Sequence, residues 1–387
     1  MDQRTIQILF ALLRSAICGT KLTEEERNTY SPEQLRDLLK ISSKHDLVHL
    51  LVLGLKENEL IAKENVELEK YILKAVYRYE RIRYEYENLC LALEEAKIPF
   101  LPLKGSVIRR YYPQAWMRTS CDIDVLVHRE DLEKAVSHLV THHKYVEKER
   151  ATHDVSLFTQ NGVNVEIHFD LVEEGRANNA ISVLSDVWEN VYLHENSAYW
   201  YDMTDEFFYF YHIAHMAKHF ENGGCGIRPF IDLWILNRMK NVDVSECDAL
   251  LSKGGLLKFS NASRALSEVW FGVKEPDGLT LQMQDFLLQG GVYGSTDNRV
   301  ALQQKKKGGR LRYILSRVFI PYAKLKRYYP VLEKHRWLMP VMQIRRWFML
   351  LKPDVAKMAK REMTVNCAID KAKSEEMNAF LERIGLN

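Results

Sequence analysis

The pattern of apolar positions changes twice along the chain. From the start to about residue 97, apolar residues recur at the 3.6-residue spacing of helices; near the start, Ile6, Leu9 and Leu13 share one helical face. The run "YILKAVYRYERIRYEYENLCLALEEA", residues 71–96, continues that spacing as one long helix. The first quarter of the chain is therefore predicted to be helical.

A strand-like pattern follows. "IPFLPL" (98–103) and "CDIDVLV" (121–127) are short apolar runs that predict strands, with a helix predicted over 129–142. "HDVSLFTQ" and "VNVEIHFDLV" flank Asn161-Gly162, a pair that predicts a hairpin with a type I′ turn, since such turns need positive φ at both positions. From Thr204, which can cap a helix, the helical spacing returns.

Helices, a small mixed sheet and further helices together predict an α+β protein. "GGVYGSTDN", residues 290–298, is rich in glycine and polar residues, and we interpret it as a linker. The predicted organisation is an N-terminal helical region, a core that holds the sheet, a helical region that completes a cleft, and a basic helical C-terminal region: 1–97, 98–200, 201–289 and 300–387.

Composition agrees with a folded protein. The 387 residues are 47% hydrophobic, which is enough for a substantial core, and no apolar run reaches the roughly 18 to 20 residues that a membrane span needs. The N-terminus resembles a signal peptide, but Asp2 stands where positive charge belongs, so we interpret it as an amphipathic helix. Six scattered cysteines without a CxxC pair indicate buried thiols in a reducing cytoplasm.

Positive charge is concentrated near the C-terminus. The net charge is only +2, yet residues 305–352 hold fourteen Lys or Arg against one acid, Glu333. Aromatic residues lie between these cations, a composition typical of single-stranded nucleic acid surfaces and of membrane-surface helices. We favour a third interpretation, packing within the protein, because Pro321, Pro330 and Pro340 divide the segment into short helices.

Two aspartates stand within the apolar run "CDIDVLV". Side chains alternate along a strand, so Asp122 and Asp124 share one side. Glu166 lies on the polar side of the second hairpin strand by the same alternation. If the two strands are neighbours, three acids meet, and a divalent cation such as Mg²⁺ would relieve their repulsion. Two separate solvated strand faces are the alternative, which a lone Asp-x-Asp would favour.

Residues upstream add a place for phosphate. Gly105-Ser106 follows a predicted strand and opens a helix, where backbone N–H groups suit a phosphate. Arg118 stands four residues before Asp122, positioned to meet a polyphosphate or to steady the acids. Lys104 precedes the glycine and adds a further cation.

The ordered set "KGS … RTSCDIDVLV … VEIH" resembles the nucleotidyltransferase superfamily with the DNA polymerase β-type fold. More narrowly, it is similar to a bacterial group of uncharacterised nucleotidyltransferase-family proteins. The family pattern is a Gly-Ser or Gly-Gly turn, then two aspartates one residue apart, then a third acid on a later strand. The similarity covers about residues 98–172, and it departs from the wider pattern at Lys104 and in the fifteen residues between Ser106 and Asp122.

The resemblance implies an Mg²⁺-dependent enzyme, with one or two ions, that moves a nucleoside monophosphate from an NTP to an acceptor hydroxyl and releases pyrophosphate. ATP binding is expected, although the residues do not fix the base. Protein, tRNA, a small metabolite or an antibiotic are open as acceptors, and a nucleic acid would meet the basic segment 305–352. The roles implied are metal binding and catalysis for Asp122, Asp124 and Glu166, and phosphate binding for Lys104, Gly105, Ser106 and Arg118.

Weaker candidates lie further along the chain. His212, His215 and His219 share one helical face, but without HExxH or clustered cysteines we favour core or pocket-lining histidines over zinc ligands. Arg228 and Asp232 follow a glycine-rich loop and could contact nucleotide or acceptor; helix capping and a structural ion pair are the alternative. No Walker A motif or GxSxG elbow occurs.

A non-catalytic function is the second hypothesis. In it, a transferase-like module binds a polyanion or nucleotide through the basic C-terminal region. The presence of all three acids disfavours this hypothesis, since a site without metal chemistry has no physical reason to hold such a charge cluster.

Overall fold

The computed structural model describes residues 2–62, 64–172, 179–239 and 242–386. The chain divides into two compact units, Met1–Met216 with Ile227–Gln284, and Ala217–Gly226 with Asp285–Asn387. The finer division into four regions stays a prediction. Among the described residues, no helix combines the length and apolar character needed to cross a membrane.

Helices precede the sheet, as predicted. Asp2 accepts a hydrogen bond from the Arg4 N–H at the start of the first helix, whose predicted apolar face is buried. At Gly54 a Cβ would lie 2.3 Å from the Leu12 carbonyl oxygen, so glycine permits the first and fourth helices to pack closely. The helices are α1 Gln3–Cys18, α2 Glu24–Thr29, α3 Leu35–Lys44, α4 Val48–Glu57 and α5 Val66–Glu95.

The central sheet is mixed. Its spatial order is β1-β2-β5-β4-β3; β2 and β5 pair in parallel and the remaining pairs are antiparallel. The predicted strands and the predicted helix after the second strand are confirmed. The elements are β1 Phe100–Pro102, α6 Gly105–Ile108, β2 Asp122–Val127, α7 Leu132–His143, β3 Val146–Arg150, β4 Asp154–Phe158 and β5 Asn164–His168.

One face of this sheet is covered by helices α5 and α7. Ile123, Val125 and Val127 of β2 lie in one buried cluster with Leu93 of α5 and Leu139 of α7. Burying these alternate residues fixes the orientation of β2, because a strand's side chains point to opposite faces. The aspartates of β2 therefore point to the other face of the sheet.

The predicted hairpin is confirmed, but its predicted turn type is wrong. The Thr159 N–H donates to Val163 O at 3.0 Å, and the Gly162 N–H donates to Thr159 O at 3.0 Å, which encloses a three-residue loop. Gly162 has a φ of 71°, whereas Asn161 does not have a positive φ. A single left-handed glycine after a turn replaces the two positive φ angles of a type I′ turn.

More helices and a small hairpin follow the central sheet. Thr204 caps α9 as predicted, because its Oγ1 accepts a hydrogen bond from the Phe207 N–H at 3.3 Å. The elements after the central sheet are α8 Ala180–Ser185, β6 Val191–Leu193, β7 Tyr201–Met203, α9 Asp205–Glu221, α10 Arg228–Leu236, α11 Val244–Lys253, α12 Leu257–Phe271 and α13 Gly278–Leu288.

The basic segment consists of short helices, as its prolines predict. Tyr313, Leu325 and Leu332 are buried within the second unit, so part of the segment packs as expected. From residue 296 onward the helices are α14 Thr296–Lys307, α15 Arg310–Val318, α16 Tyr322–Tyr328, α17 Val331–Lys334, α18 Met339–Phe348, α19 Pro353–Ala368 and α20 Lys371–Arg383, of which α19 and α20 follow the basic segment.

Candidate active site

The parallel pairing of β2 and β5 brings the predicted acids together. Asp124 lies directly opposite Glu166, and Asp122 lies opposite Asn164. All three carboxylates are on the same face of the sheet, since Asp122 and Asp124 are two residues apart on one strand. The Asn164 side-chain amide donates to Glu166 Oε1 at 3.1 Å, which orients that carboxylate.

Asp124 is buried and has two side-chain partners. Lys104 Nζ lies 3.1 Å from its Oδ1, and His168 Nε2–H donates to the same oxygen at 2.9 Å. Burial opposes ionisation of Asp124, but the Lys104 charge and the His168 hydrogen bond outweigh it and hold the pKa of Asp124 well below its ordinary value. Asp124 is therefore a carboxylate at neutral pH.

Asp122 experiences the opposite electrostatic environment. Burial and the negative charge of Asp124 raise the pKa of Asp122 above its ordinary value, and Lys104 only partly offsets this. Two carboxylates two positions apart on one buried strand repel each other. A cation bound between them would remove the repulsion and favour ionisation of both.

Three potential metal ligands lie close together in the site. Ligand atoms of Asp124, Glu166 and His168 lie within 4.8 Å of one another, and Asp122 lies outside this group. Carboxylate oxygens are the ligands that Mg²⁺ prefers, and the imidazole donates its hydrogen bond to Asp124. His168 received no role from the sequence, although alternation along β5 places it on the same face as Glu166.

Lys104 reaches Asp124 from an unusual turn. Its φ of 44° and ψ of −116° lie outside the regions that non-glycine residues ordinarily occupy. Leu103, just before it, donates its N–H to Asp124 O at 3.0 Å and so ties β1 to β2. A strained residue of this kind is often part of a functional site.

Gly105 and Ser106 follow Lys104 in the one-turn helix α6. The Ser106 N–H donates to Leu103 O at 3.2 Å. The buried Arg109, also missed by sequence reasoning, donates to Gly105 O at 2.7 Å and to Ser120 Oγ at 2.6 Å. Burial, followed by the charge of Arg118, lowers the pKa of Arg109 to about 10, so it stays charged at neutral pH. Arg109 thus holds the predicted phosphate turn against the segment that leads into β2.

Arg118 and Asp232 form a buried ion pair with each other. Arg118 Nε donates to Asp232 Oδ1 at 2.9 Å and its Nη2 donates to Oδ2 at 2.9 Å, a two-bonded arrangement. Tyr112 adds a third donor, its hydroxyl lying 2.6 Å from Asp232 Oδ1. Burial opposes ionisation of Asp232, but the Arg118 charge outweighs it and lowers the pKa of Asp232. The pair fixes Arg118 four residues before the first aspartate of β2.

Arg228 belongs to a neighbouring network. Its Nη1 donates to Thr119 O at 3.0 Å and lies 3.3 Å from Asp46 Oδ2. Asp46 also accepts from Arg78 at 2.9 Å and from the Thr119 hydroxyl at 2.9 Å. This network joins the N-terminal helices to the loop before β2. Asp46 could not be selected from the sequence, since its partners lie 32 to 182 positions away.

The histidine row on α9 supplies no metal ligand group in the described part of the chain. His212 Nε2–H donates to the Pro229 carbonyl at 3.0 Å, and burial lowers the pKa of His212. Among the described residues, two groups of three potential ligands have their ligand atoms within 4.8 Å of one another. Neither group includes His212, His215 or His219.

The profile of a family described as "Uncharacterised nucleotidyltransferase" matches residues 31–272, well over half of the chain. The chain belongs to this family of nucleotidyltransferases. The matched range contains every predicted site residue, from Lys104 to Asp232. No curated protein and no solved structure matches the chain.

Membership confirms two sequence predictions. The predicted resemblance to nucleotidyltransferases is confirmed. The α+β core flanked by helices agrees with the fold class expected for this family. A nucleotidyltransferase acts on an NTP and an acceptor, and in this chain Asp124, Glu166 and His168 form one group of potential metal ligands.

Proposed function

We propose that this nucleotidyltransferase is Mg²⁺-dependent and moves a nucleoside monophosphate from an NTP, ATP being one candidate, to an acceptor hydroxyl. The observation that supports this is the β2–β5 register, which sets Asp124 opposite Glu166 with Asp122 on the same face. In the reaction, the bond between the acceptor oxygen and the α-phosphorus forms. The bond from that phosphorus to the bridging oxygen breaks, and pyrophosphate leaves.

Asp122, Asp124 and Glu166 would hold one or two Mg²⁺ ions. Bound Mg²⁺ would supply neutralisation of phosphate charge and alignment of the attacking and leaving oxygens. The donor set fits: carboxylates on one face, with the pKa of Asp122 raised by burial and by Asp124. The hydrogen bond from His168 keeps Asp124 ionised and fixes its orientation.

The chain's own residues would bind phosphate and move the proton. Lys104, whose Nζ lies 3.1 Å from Asp124 Oδ1, would contact the triphosphate beside the acids. Gly105 and Ser106 would form the adjacent turn. Glu166, whose side chain is 27% exposed, would accept the proton of the acceptor hydroxyl. Its hydrogen bond from Asn164 orients the carboxylate for this role.

Direct nucleotide contacts by Arg118, Arg228 and Asp232 stay predictions. The contacts of Arg118 with Asp232 and of Arg228 with Thr119 support a positioning role for the loop before β2. Holding that loop fixes where Asp122 begins its strand, so these residues would affect catalysis through Asp122.

The acceptor class stays open among protein, tRNA, a small metabolite and an antibiotic. A polyanionic acceptor would be bound by the basic segment 305–352. We also propose a cytoplasmic location, which six scattered cysteines without a CxxC pair support. The alternative, a non-catalytic module that binds a polyanion, has the same basic segment in its favour.

Asp122→Asn and Asp124→Asn test the proposal. Each should lower Mg²⁺-dependent NTP affinity at least tenfold and abolish pyrophosphate release, because the metal loses a charged ligand. Thermal shift across the four NTPs, with and without Mg²⁺, measures binding and identifies the base. Without metal, Asp122→Asn should melt no lower than the parent, since it removes repulsion with Asp124.

Asp170→Asn is the matched control. Asp170 follows β5 and pairs with the exposed Arg129, so its loss leaves the acidic group intact. Unchanged NTP binding in Asp122→Asn and Asp124→Asn would contradict the site. If the parent protein binds Mg²⁺–NTP but transfers nothing to any acceptor class, the non-catalytic alternative is favoured.

A further inference from the structure

A second group of potential metal ligands lies on the opposite, helical side of the sheet. Glu95 is the last residue of α5, and His138 and His143 lie on the last turns of α7. Their ligand atoms are all within 4.8 Å of one another. His143 Nε2 lies 3.2 Å from His138 Nε2 and 3.7 Å from Glu95 Oε2.

These separations match a tetrahedral metal. Zinc binds imidazole nitrogen at about 2.0–2.1 Å, so two ligands of a tetrahedral ion lie about 3.3 Å apart. Two imidazoles and one carboxylate favour a borderline ion such as Zn²⁺ over Mg²⁺, which takes oxygen ligands. We propose that Glu95, His138 and His143 form a Zn²⁺ site, with solvent at the fourth position.

A neighbouring histidine orients one of these ligands. The His142 ring stacks on His138 with centroids 4.7 Å apart, and its Nδ1–H donates to His138 O. These contacts hold the His138 ring in place before metal binds.

A metal here would join the ends of two helices. Glu95 ends α5 and His143 ends α7, and the same helices bury Leu93 and Leu139 against the sheet. Because an ion bound only by the folded state stabilises it by mass action, Zn²⁺ should raise the melting temperature of the protein. This inference does not rest on nucleotidyl transfer.

Titration of the full-length protein with ZnCl₂ in excess Mg²⁺ tests the site. Calorimetry should show one more bound Zn²⁺ per chain in the parent than in His138→Ala or His143→Ala. Where a variant still binds Zn²⁺ at this site, its affinity should be at least tenfold weaker. The Zn²⁺-dependent rise in melting temperature should be lost in both. His335→Ala, an exposed imidazole in the second unit, should behave as the parent does.

Both ligand histidines are partly exposed, so the variants should fold, and metal-free circular dichroism and melting temperature check this. Should His138→Ala melt early, His143→Gln supplies a second test of the same group. The proposal is overturned if the parent binds no Zn²⁺ beyond what both variants bind. It is equally overturned if His335→Ala loses binding to the same extent.

Discussion

The turn at Lys104 places a positive charge beside Asp124 in the candidate site. A positive φ in a lysine costs on the order of 1–3 kcal/mol, so surrounding contacts must hold it. The compensating contacts are the Lys104–Asp124 ion pair at 3.1 Å and the Leu103 N–H bond to Asp124 O. Both end on Asp124, so the strained turn is fixed by the residue that the proposed metal needs.

The buried pair of Arg118 and Asp232 gives a prediction at this scale. Arg118→Ala should lower the free energy of unfolding by about 3–5 kcal/mol, because it leaves the Asp232 carboxylate buried without its partner. Arg118→Lys should lose less, since it keeps the charge but loses the planar two-bonded contact. Urea unfolding of Arg118→Ala, Asp232→Asn and the double variant measures the coupling between the two side chains.

Two results decide what Arg118 does. A large coupling energy, with NTP affinity reduced only in proportion to lost stability, supports the positioning role. Normal stability in Arg118→Ala together with lost NTP affinity would contradict it and favour direct phosphate contact. Arg83→Ala serves as the control, because its contacts to Glu80 and Glu87 are exposed pairs within one helix.

The sequence could predict some residues of the site and not others, for a physical reason. Alternation along a strand is local, so it placed Asp122 and Asp124 on one side without knowledge of the fold. Arg118 and Asp232 are 114 positions apart, and their pairing depends on how α10 packs. Sequence spacing alone could not indicate that two predicted nucleotide ligands would pair with each other.

At the scale of elements, helix α4 contacts the loop before β2 through a titratable side chain. Its buried His49 donates from Nε2 to Met117 O at 2.9 Å, one residue before Arg118. Burial lowers the pKa of His49 from 6.5 to about 4, and burial does the same for His45, just before the helix. Both imidazoles are therefore neutral in the folded protein at pH 7.

These histidines predict a loss of stability in mild acid. Between pH 6.5 and about 4 the unfolded chain takes up protons that the folded chain does not, so the free energy of unfolding falls as pH falls. Each histidine contributes a loss of about 3 kcal/mol across that window, from about 1.4 kcal/mol per pKa unit. Urea unfolding at pH 7, 5.5 and 4 measures the total slope, to which carboxylates also contribute.

His49→Gln isolates one histidine. Glutamine can keep an N–H donor near Met117 O but does not titrate, so this variant should lose less stability than the parent between pH 7 and 4. His335→Gln, at an exposed position, should follow the parent curve. Equal slopes for His49→Gln and the parent would mean that His49 titrates normally in the folded protein.

Periodicity identified the elements but not all of their pairings. The strand patterns at 98–103, 121–127 and 163–172 were sufficient to predict strands, because burial on one face imposes a period of two. The pairing of β2 with β5 was a condition of the metal hypothesis and was not predicted from periodicity. These strands are separated in sequence by α7, β3 and β4, so their register depends on the packed core. The hairpin turn differs from the predicted type I′ turn for a local reason. Its three-residue loop needs only one residue with positive φ, which is Gly162.

At the scale of the whole molecule, the basic segment has two kinds of cation. Some are used inside the second unit: Arg317 pairs with Glu362 at 2.7 Å, and Arg310 donates to Ile369 O. Others, such as Lys306 and Lys307, are exposed. Large apolar side chains are exposed in the same segment, including Trp337 at 74% and Phe348 at 64%. Packing therefore explains part of the charge, while other cations and several aromatic rings of the segment are exposed.

If these exposed side chains bind a single-stranded RNA, the binding should depend on salt. Cations contact phosphates and exposed rings stack on bases, so affinity should fall by about 0.7 log units per log unit of salt for each phosphate neutralised. Lys306→Ala with Lys307→Ala should reduce that slope by about 1.4, whereas Arg317→Ala should leave it unchanged, because Arg317 is already paired with Glu362. Fluorescence anisotropy at several salt concentrations measures the slopes, with anionic vesicles as a parallel titration.

Binding to vesicles alone would indicate a membrane surface, because exposed rings between cations suit both ligands. Absence of binding to RNA and vesicles at low salt would leave the segment with its packing role only.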